Sequence, residues 1–233
     1  MIKVILWDID GTVLNFLRAE YEALRTCFSV FGLGACTDEM IGRYSAINRT
    51  YWERLERGEI TKAEVLVNRF VEFFEKEGIQ TDCAPAFNKE YQTRLGDTIC
   101  FCDDSYELIK SLKPWVKQYA VTNGTKVAQN KKLSRSGLDQ LFDDIFISEE
   151  VGTEKPGIAF FEHVWEKIGT YAADEVMIVG DSLTSDMQGG NNAGILCCWY
   201  NPQKLSNDKN LVIDYEIQNL QQIPEILQTR KTC

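Results

Sequence analysis

The first apolar run of the chain, Ile2-Lys3-Val4-Ile5-Leu6-Trp7, is short, rich in β-branched residues and followed by acidic residues and Gly11. Such a run reads as a buried strand. Similar runs return only much later, at residues 118–122, 144–148, 176–179 and 195–199. Between them lie helix-length stretches with apolar residues at helical spacing, such as Leu108, Ile109 and Leu112, then Phe161, Val164, Trp165 and Ile168. Strands alternating with helices predict a parallel sheet covered on both faces, an α/β core of Rossmann-like type.

Residues 14–96 carry a different pattern. Leu17, Tyr21, Leu24, Phe28 and Phe31 recur at 4-3-4-3 spacing, the stripe of one amphipathic helix. Thr37-Asp38 can cap a second helix bearing Met40, Ile41, Tyr44 and Ile47. Thr61 and Glu64 form a capping box ahead of Val65, Leu66, Phe70, Phe73 and Phe74. No strand signal interrupts this block. The expected organisation is therefore a core from residues 1–14 and 97–233, with a helical insertion at 15–96.

Composition narrows the partners. A net charge of -10 on 233 residues argues against a nucleic-acid polymer or an anionic membrane surface, because either needs a basic face. A small anionic substrate stays open, since a bound divalent cation can invert the local field. No apolar run approaches the roughly 20 residues of a membrane span. The first residues turn acidic at Asp8, too early for a signal peptide, so a cytoplasmic location is expected. Eight cysteines include the terminal Cys233 and no C-x-x-C pair, and His163 is the single histidine; reduced structural thiols are expected, not a zinc site.

Four short elements carry candidate chemistry, each at the carboxyl end of an expected strand, the edge where open α/β sheets bind ligands. In Asp8-Ile9-Asp10-Gly11-Thr12, one carboxylate can attack phosphorus and the other exchange protons with the leaving group. By itself the motif could equally be an acidic turn. In Val121-Thr122-Asn123-Gly124-Thr125, a hydroxyl and backbone amides opening onto a helix near Thr125 make an anion site, or merely an N-capped turn. Lys155-Pro156 offers a cation to neutralise phosphate and restrain the nucleophile, although alone it reads as a surface lysine at a helix entrance. Gly180-Asp181-Ser182-Leu183-Thr184-Ser185-Asp186 places an acid at the sheet edge for a hard dication, with Asp186 behind it; singly, either acid could be a helix cap. The conjunction is what carries weight: acid, hydroxyl, lysine and acid, in order, each after its own strand.

These four motifs resemble those of the haloacid dehalogenase-like hydrolase superfamily across the whole chain, and the helical insertion resembles that family's type-one helical cap, which closes over the site. Asp10 occupies the position that the dehalogenating branch replaces, so the resemblance implies phosphoryl chemistry. It assigns Asp8 as nucleophile, Asp10 as general acid then base, Thr122 with the Asn123 and Gly124 amides as phosphoryl ligands, and Lys155 as charge stabiliser. Mg2+ would lie between the Asp8 side chain, the Asp10 backbone carbonyl and Asp181, with Asp186 acting from behind. The chain is more specifically similar to bacterial nucleotidases that dephosphorylate pyrimidine nucleoside 5′-monophosphates, through Tyr44-Ser45-Ala46-Ile47-Asn48, Trp52, Gly58, Arg69-Phe70, Ser148-Glu149-Glu150-Val151-Gly152 and Gly189-Gly190-Asn191-Asn192-Ala193-Gly194.

On that similarity the substrate is a small phosphorylated metabolite. Asn48 and Trp52, on one helical face, are candidate substrate contacts, with packing in the insertion's core as the plainer role for Trp52. A β-phosphoglucomutase-like phosphosugar mutase, or a sugar-phosphate phosphatase, shares the same constellation. A signalling receiver domain shares the acids, Thr and Lys but has a shorter chain without the helical insertion. The assembly is expected to be a monomer or homodimer.

Overall fold

The computed structural model describes residues 1–229, so Cys233 lies outside the described residues. In chain order the elements are β1 (Val4–Trp7), α1 (Phe16–Val30), α2 (Asp38–Glu56), α3 (Lys62–Glu77), α4 (Ala84–Leu95), α5 (Ser105–Leu112), β2 (Lys117–Thr122) and α6 (Lys126–Ser136). There follow β3 (Asp144–Ile147), α7 (Ser148–Val151), α8 (Ile158–Ile168), β4 (Val176–Gly180), α9 (Gln188–Ala193), β5 (Leu196–Tyr200), β6 (Tyr215–Ile217) and α10 (Ile223–Thr229). Among the described residues, no helix is long and apolar enough to cross a membrane, and seven cysteines are free thiols.

The contacts separate an α/β unit (Met1–Asn15, Cys100–Lys126 and the chain from Leu133 onward) from a helical unit (Phe16–Ile99 with Val127–Lys132). In the α/β unit one sheet runs β3-β2-β1-β4-β5-β6 with every neighbouring pair parallel. β1 is central and buried along its length; its Leu6 faces Tyr119 of β2 and Ile178 of β4. That position explains why the opening run is apolar without alternation, as a strand covered on both faces must be. Strand order turns back between β1 and β4, so the switch point of the sheet lies beyond their carboxyl ends. All five expected strands are present. The sixth, β6, escaped the pattern because its three residues, one of them Glu216, pair only with β5 at the edge.

Phe160, Phe161, Val164 and Ile168 of α8 share one apolar cluster with Val4, Leu6, Val121 and Ile178. Burying such side chains fully contributes about 1.5–3 kcal/mol each. Trp7, also fully buried, donates its indole N–H to Gln118 Oε1 at 3.1 Å, which satisfies the one polar atom it brings into the core.

In the helical unit, Thr37 accepts from the Met40 amide at the start of α2, and Thr61 and Glu64 close the expected capping box on α3. The α1 stripe is corrected: Leu17 is 54% exposed, whereas Ala19, Glu20, Ala23, Leu24, Cys27 and Phe28 are buried. The buried face follows from α4, the main packing partner of α1, which no stripe in the sequence had announced. Phe70 of α3 is the hub of the core, with ring centroids of Tyr44 and Phe87 at 5.0 Å and Tyr91 at 5.1 Å.

A buried polar network crosses this core. Asn48 Nδ2 donates to Glu20 Oε2 at 3.0 Å, and Asn48 Oδ1 accepts from Arg69 Nη1 at 2.6 Å. Arg69 Nη2 reaches Asn88 Oδ1 at 3.2 Å, and Ser45 donates its hydroxyl to Glu20 Oε1. Glu20 and Arg69 are each 1% exposed, so each charge needs these partners to be tolerated at all.

Candidate active site

Asp8 is the first residue beyond β1, its amide still bonded to Val179 O at 2.9 Å across to β4. Its side chain therefore emerges at the switch point of the sheet. The chain leaves the strand line through Gly11, whose φ of +102° an L side chain rarely adopts. Space gives a second reason for glycine: a Cβ there would stand 2.6 Å from Asp181 Oδ2. Thr12 donates its hydroxyl to Asp181 Oδ1 at 3.2 Å, so this turn cradles the acid that follows β4. Asp10, half-buried, lies in the same turn, which is closed by Gly11 N to Leu14 O at 2.8 Å.

Thr122 ends β2 and is buried, and its Oγ1 accepts from the Gly124 amide at 3.1 Å. The helix expected near Thr125 begins at Lys126, whose amide is capped by Glu149 Oε2 at 2.6 Å. Asn123 turns its side chain, not only its backbone, to use. Its Oδ1 accepts from the Lys155 amide at 2.9 Å, and its Nδ2 donates to Lys155 O at 2.8 Å and Ser185 Oγ at 3.2 Å.

Lys155 is 1% exposed, and its ammonium donates to Asp8 Oδ1 at 2.9 Å, Val121 O at 2.8 Å and Asp186 Oδ1 at 2.6 Å. All three N–H groups are thus engaged. In this arrangement Lys155 acts on a phosphoryl group by its charge and by holding the acids, in the charge-neutralising role expected from the sequence; as a phosphate ligand it would have to exchange one of these partners. Asp186 is fully buried, and its Oδ2 accepts from the Ser182 amide at 3.1 Å. Gly180 makes room for it, and Trp199 of β5 fixes the neighbouring backbone by donating its indole N–H to Asp181 O at 2.9 Å.

Asp8, Asp181 and Asp186 bring carboxylate oxygens within 4.8 Å of one another. Burial, then the charge of Asp186, pushes Asp8 well above the usual carboxylate range against the pull of Lys155. Asp181 reaches solvent by surface area, yet its carboxylate is closely ringed by protein. That crowding, followed by Asp186, pushes it up to about 7. Burial disfavours the Lys155 charge, but Asp186 and Asp8 outweigh it and hold the ammonium above the ordinary lysine range.

The donor set fits a hard divalent cation. One ammonium faces three carboxylates, and Asp8 Oδ2 is buried without a hydrogen bond among the described residues. An orphaned carboxyl oxygen in a close acidic cluster is what magnesium takes, since it binds few carboxylates at short range.

The structure therefore gathers Asp8, Asp10, Thr122, Asn123, Gly124, Lys155, Asp181 and Asp186 at the carboxyl edge of one sheet. The two candidates in the insertion are both engaged within the helical unit. Asn48 is 4% exposed with both ends of its amide taken by Glu20 and Arg69, and Trp52 packs half-buried against the helical core. Sequence reasoning gave Thr12 and Trp199 no role and read Asn123 only for its amide. Thr12 had a signal in its place within the first motif, whereas the distance from Trp199 to Asp181 O has no local signature.

Comparison with known proteins agrees with this geometry. A model of the family described as haloacid dehalogenase-like hydrolase matches residues 5–200. HAD-hydrolase YfnB of Bacillus subtilis is 36% identical over 99% of this chain and 97% of its own length. Its magnesium-bound crystal structure superposes with a TM-score of 0.90, covering 97% of this chain and 98% of that one. Pyrimidine 5′-nucleotidase PynA of Streptococcus pneumoniae is 34% identical over 97% of this chain and 94% of its own. Pyrimidine 5′-nucleotidase YjjG of Escherichia coli is 26% identical over 96% of both. By match, by near-complete coverage and by the sheet that orders its four motifs, the chain belongs to the haloacid dehalogenase-like hydrolase family.

Proposed function

We propose that the protein is a magnesium-dependent phosphatase of small phosphate monoesters, that Asp8 is its nucleophile, and that pyrimidine nucleoside 5′-monophosphates are its substrates. Asp8 itself carries the reading. One of its oxygens is held by Lys155 at 2.9 Å, while the other is buried and without a hydrogen bond among the described residues, at the end of the central strand. The substrate class rests on similarity to PynA and YjjG over nearly the whole chain.

In the reaction, an Asp8 carboxylate oxygen bonds to phosphorus as the ester P–O bond breaks, and Asp10 gives its proton to the leaving oxygen. Asp10 then takes a proton from water as the water oxygen bonds to phosphorus. The bond from Asp8 to phosphorus breaks, releasing phosphate and restoring the carboxylate. Thr122 Oγ1 and the Asn123 and Gly124 amides bind phosphoryl oxygens, the Gly124 amide exchanging its bond to Thr122 for one to substrate. Lys155 offsets the charge on Asp8 and keeps Asp186 in place. The side chains of Asp8 and Asp181, with the Asp10 carbonyl, would hold magnesium, which supplies charge neutralisation to the transferring phosphoryl group.

The test is phosphate release from a panel of nucleoside monophosphates and sugar phosphates, with magnesium and with EDTA, for the unaltered protein and for Asp8→Asn. Metal-dependent release, strongest on pyrimidine nucleotides and absent from Asp8→Asn, is the expected result. Release from sugar phosphates alone would remove the nucleotide class, and isomerised sugar phosphate without free phosphate would favour a mutase. Turnover by Asp8→Asn would place the nucleophile elsewhere.

A further inference from the structure

Lys155 stands between α7 and α8, in a segment with no regular secondary structure. Its backbone N–H and C=O therefore have no ladder or helix to satisfy them. Both go to one side chain: Asn123 Oδ1 receives the amide at 2.9 Å, and Asn123 Nδ2 donates to the carbonyl at 2.8 Å. A primary amide presents the same donor and acceptor as a peptide unit, so Asn123 pairs with Lys155 as a one-residue strand would. The second Nδ2 hydrogen reaches Ser185 Oγ at 3.2 Å, next to Asp186. One half-buried side chain thus links the segments that carry Thr122, Lys155 and Asp186.

The precision matters because the Lys155 ammonium has no spare donor. Its contacts to Asp8, Val121 and Asp186 at 2.6–2.9 Å are all met at once, and a shift of the Lys155 backbone would strain or break at least one of them. Other ties flank this one: Lys126 to Glu150 joins side chains 57% and 41% exposed and is weakened by solvent, the Lys126 amide bonds Glu149 Oε2, and Asn192 Nδ2 donates to Pro156 O at 2.8 Å, but none of them bonds the Lys155 backbone itself. The Asn123 side chain keeps no donor for a substrate, so its influence runs through Lys155.

We infer that the Asn123 side-chain amide is a positioning residue, clamping the Lys155 backbone so that the ammonium bridges Asp8 and Asp186. The inference rests on the phosphatase reading of the site. A misplacement of about 1 Å in such a site costs on the order of 100-fold in rate.

The test measures magnesium-supported hydrolysis of p-nitrophenyl phosphate by Asn123→Ala, Asn123→Asp, Lys155→Met and the Asn123→Ala/Lys155→Met double variant. Asn123→Asp is nearly isosteric and serves if the alanine variant fails to fold. It keeps the acceptor for the Lys155 amide but sets an oxygen against the Lys155 carbonyl. Each Asn123 variant is expected to lose about 100-fold in kcat with KM within about threefold, and Asn123→Ala to cost less than about threefold more once Lys155 is gone. A loss residing in KM, or one that multiplies fully with Lys155→Met, overturns the inference. If the unaltered protein hydrolyses no phosphate monoester, the phosphatase reading fails by itself. The clamp is then judged by NMR of 15N-labelled protein: the Lys155 amide resonance must move in Asn123→Asp, and an unmoved resonance overturns it.

Discussion

A methyl group added at Gly180 would stand 2.2 Å from Asp186 Oδ2, 2.3 Å from its Cγ and 2.5 Å from its Cβ. The carboxylate cannot swing aside cheaply. Asp186 is fully buried, with Oδ1 on Lys155 Nζ at 2.6 Å and Oδ2 on the Ser182 amide at 3.1 Å, and its Cβ moves only with the backbone. Hydrogen bonds to charged groups contribute about 1.5–3 kcal/mol each. Overpacking a core site costs about 1–3 kcal/mol. Losing one such bond and straining the turn sets the expected destabilisation of Gly180→Ala at about 2.5–6 kcal/mol. Activity should fall with it, because Asp186 anchors Lys155 and Lys155 holds Asp8. The assay is urea denaturation paired with phosphate release under saturating magnesium. Gly42→Ala is the matched control: it lies inside α2 with open space where a Cβ would stand, and should stabilise by about 0.5–1 kcal/mol. A Gly180→Ala protein within about 0.5 kcal/mol of the parent and with full kcat would refute the close-approach reasoning.

Protons and magnesium should compete for the acidic cluster. Asp181 is pushed up to about 7 and Asp8 is raised, so apparent magnesium affinity should strengthen from pH 6 to 8 with net proton release. Calorimetry in buffers of different ionisation enthalpy reads this, and a pH-independent affinity would remove the coupling. Glu20 supplies a stability effect of opposite sense to the usual carboxylate. Burial raises it above the ordinary range despite Ser45, Arg69 and Asn48, so its contribution is full at pH values below its unfolded pKa and is lost as pH rises through the folded value. The stability difference between the parent and Glu20→Gln should therefore move in favour of Glu20→Gln from pH 4 to 7, and parallel urea-denaturation profiles would exclude this. Phe70→Ala should cost about 3–5 kcal/mol, since the ring sits among Tyr44, Phe87 and Tyr91. A thermal scan showing an unchanged helical unit would contradict that packing.

The parallel sheet was legible because strands buried on both faces leave unbroken apolar runs, and the acids and hydroxyl at their ends stand out against such runs. What escaped were features set by partners distant in sequence. Leu17 belongs to the α1 stripe by spacing, yet it is 54% exposed, because the buried face turns toward α4. Asn48 has the composition of a ligand-binding residue, but Arg69, 21 positions away, takes its acceptor. The use of the Asn123 amide on Lys155 joins residues 32 apart, and no period in the sequence encodes it. β6 is too short to register as a pattern at all.

The central place of β1 has a consequence during synthesis. β1 ends at Trp7, but its two neighbours begin only at Lys117 and Val176. The four helices α1 to α4 are contiguous between Phe16 and Leu95 and pack on one another, so they can fold together once Leu95 has left the ribosome, before the sheet is complete. Until β2 emerges, the segment Val-Ile-Leu-Trp has both hydrogen-bonding edges open and no apolar cover. A ribosome paused before Lys117 thus presents a folded helical body trailing a bare, sticky strand, and chaperone capture of nascent chains should peak over that interval.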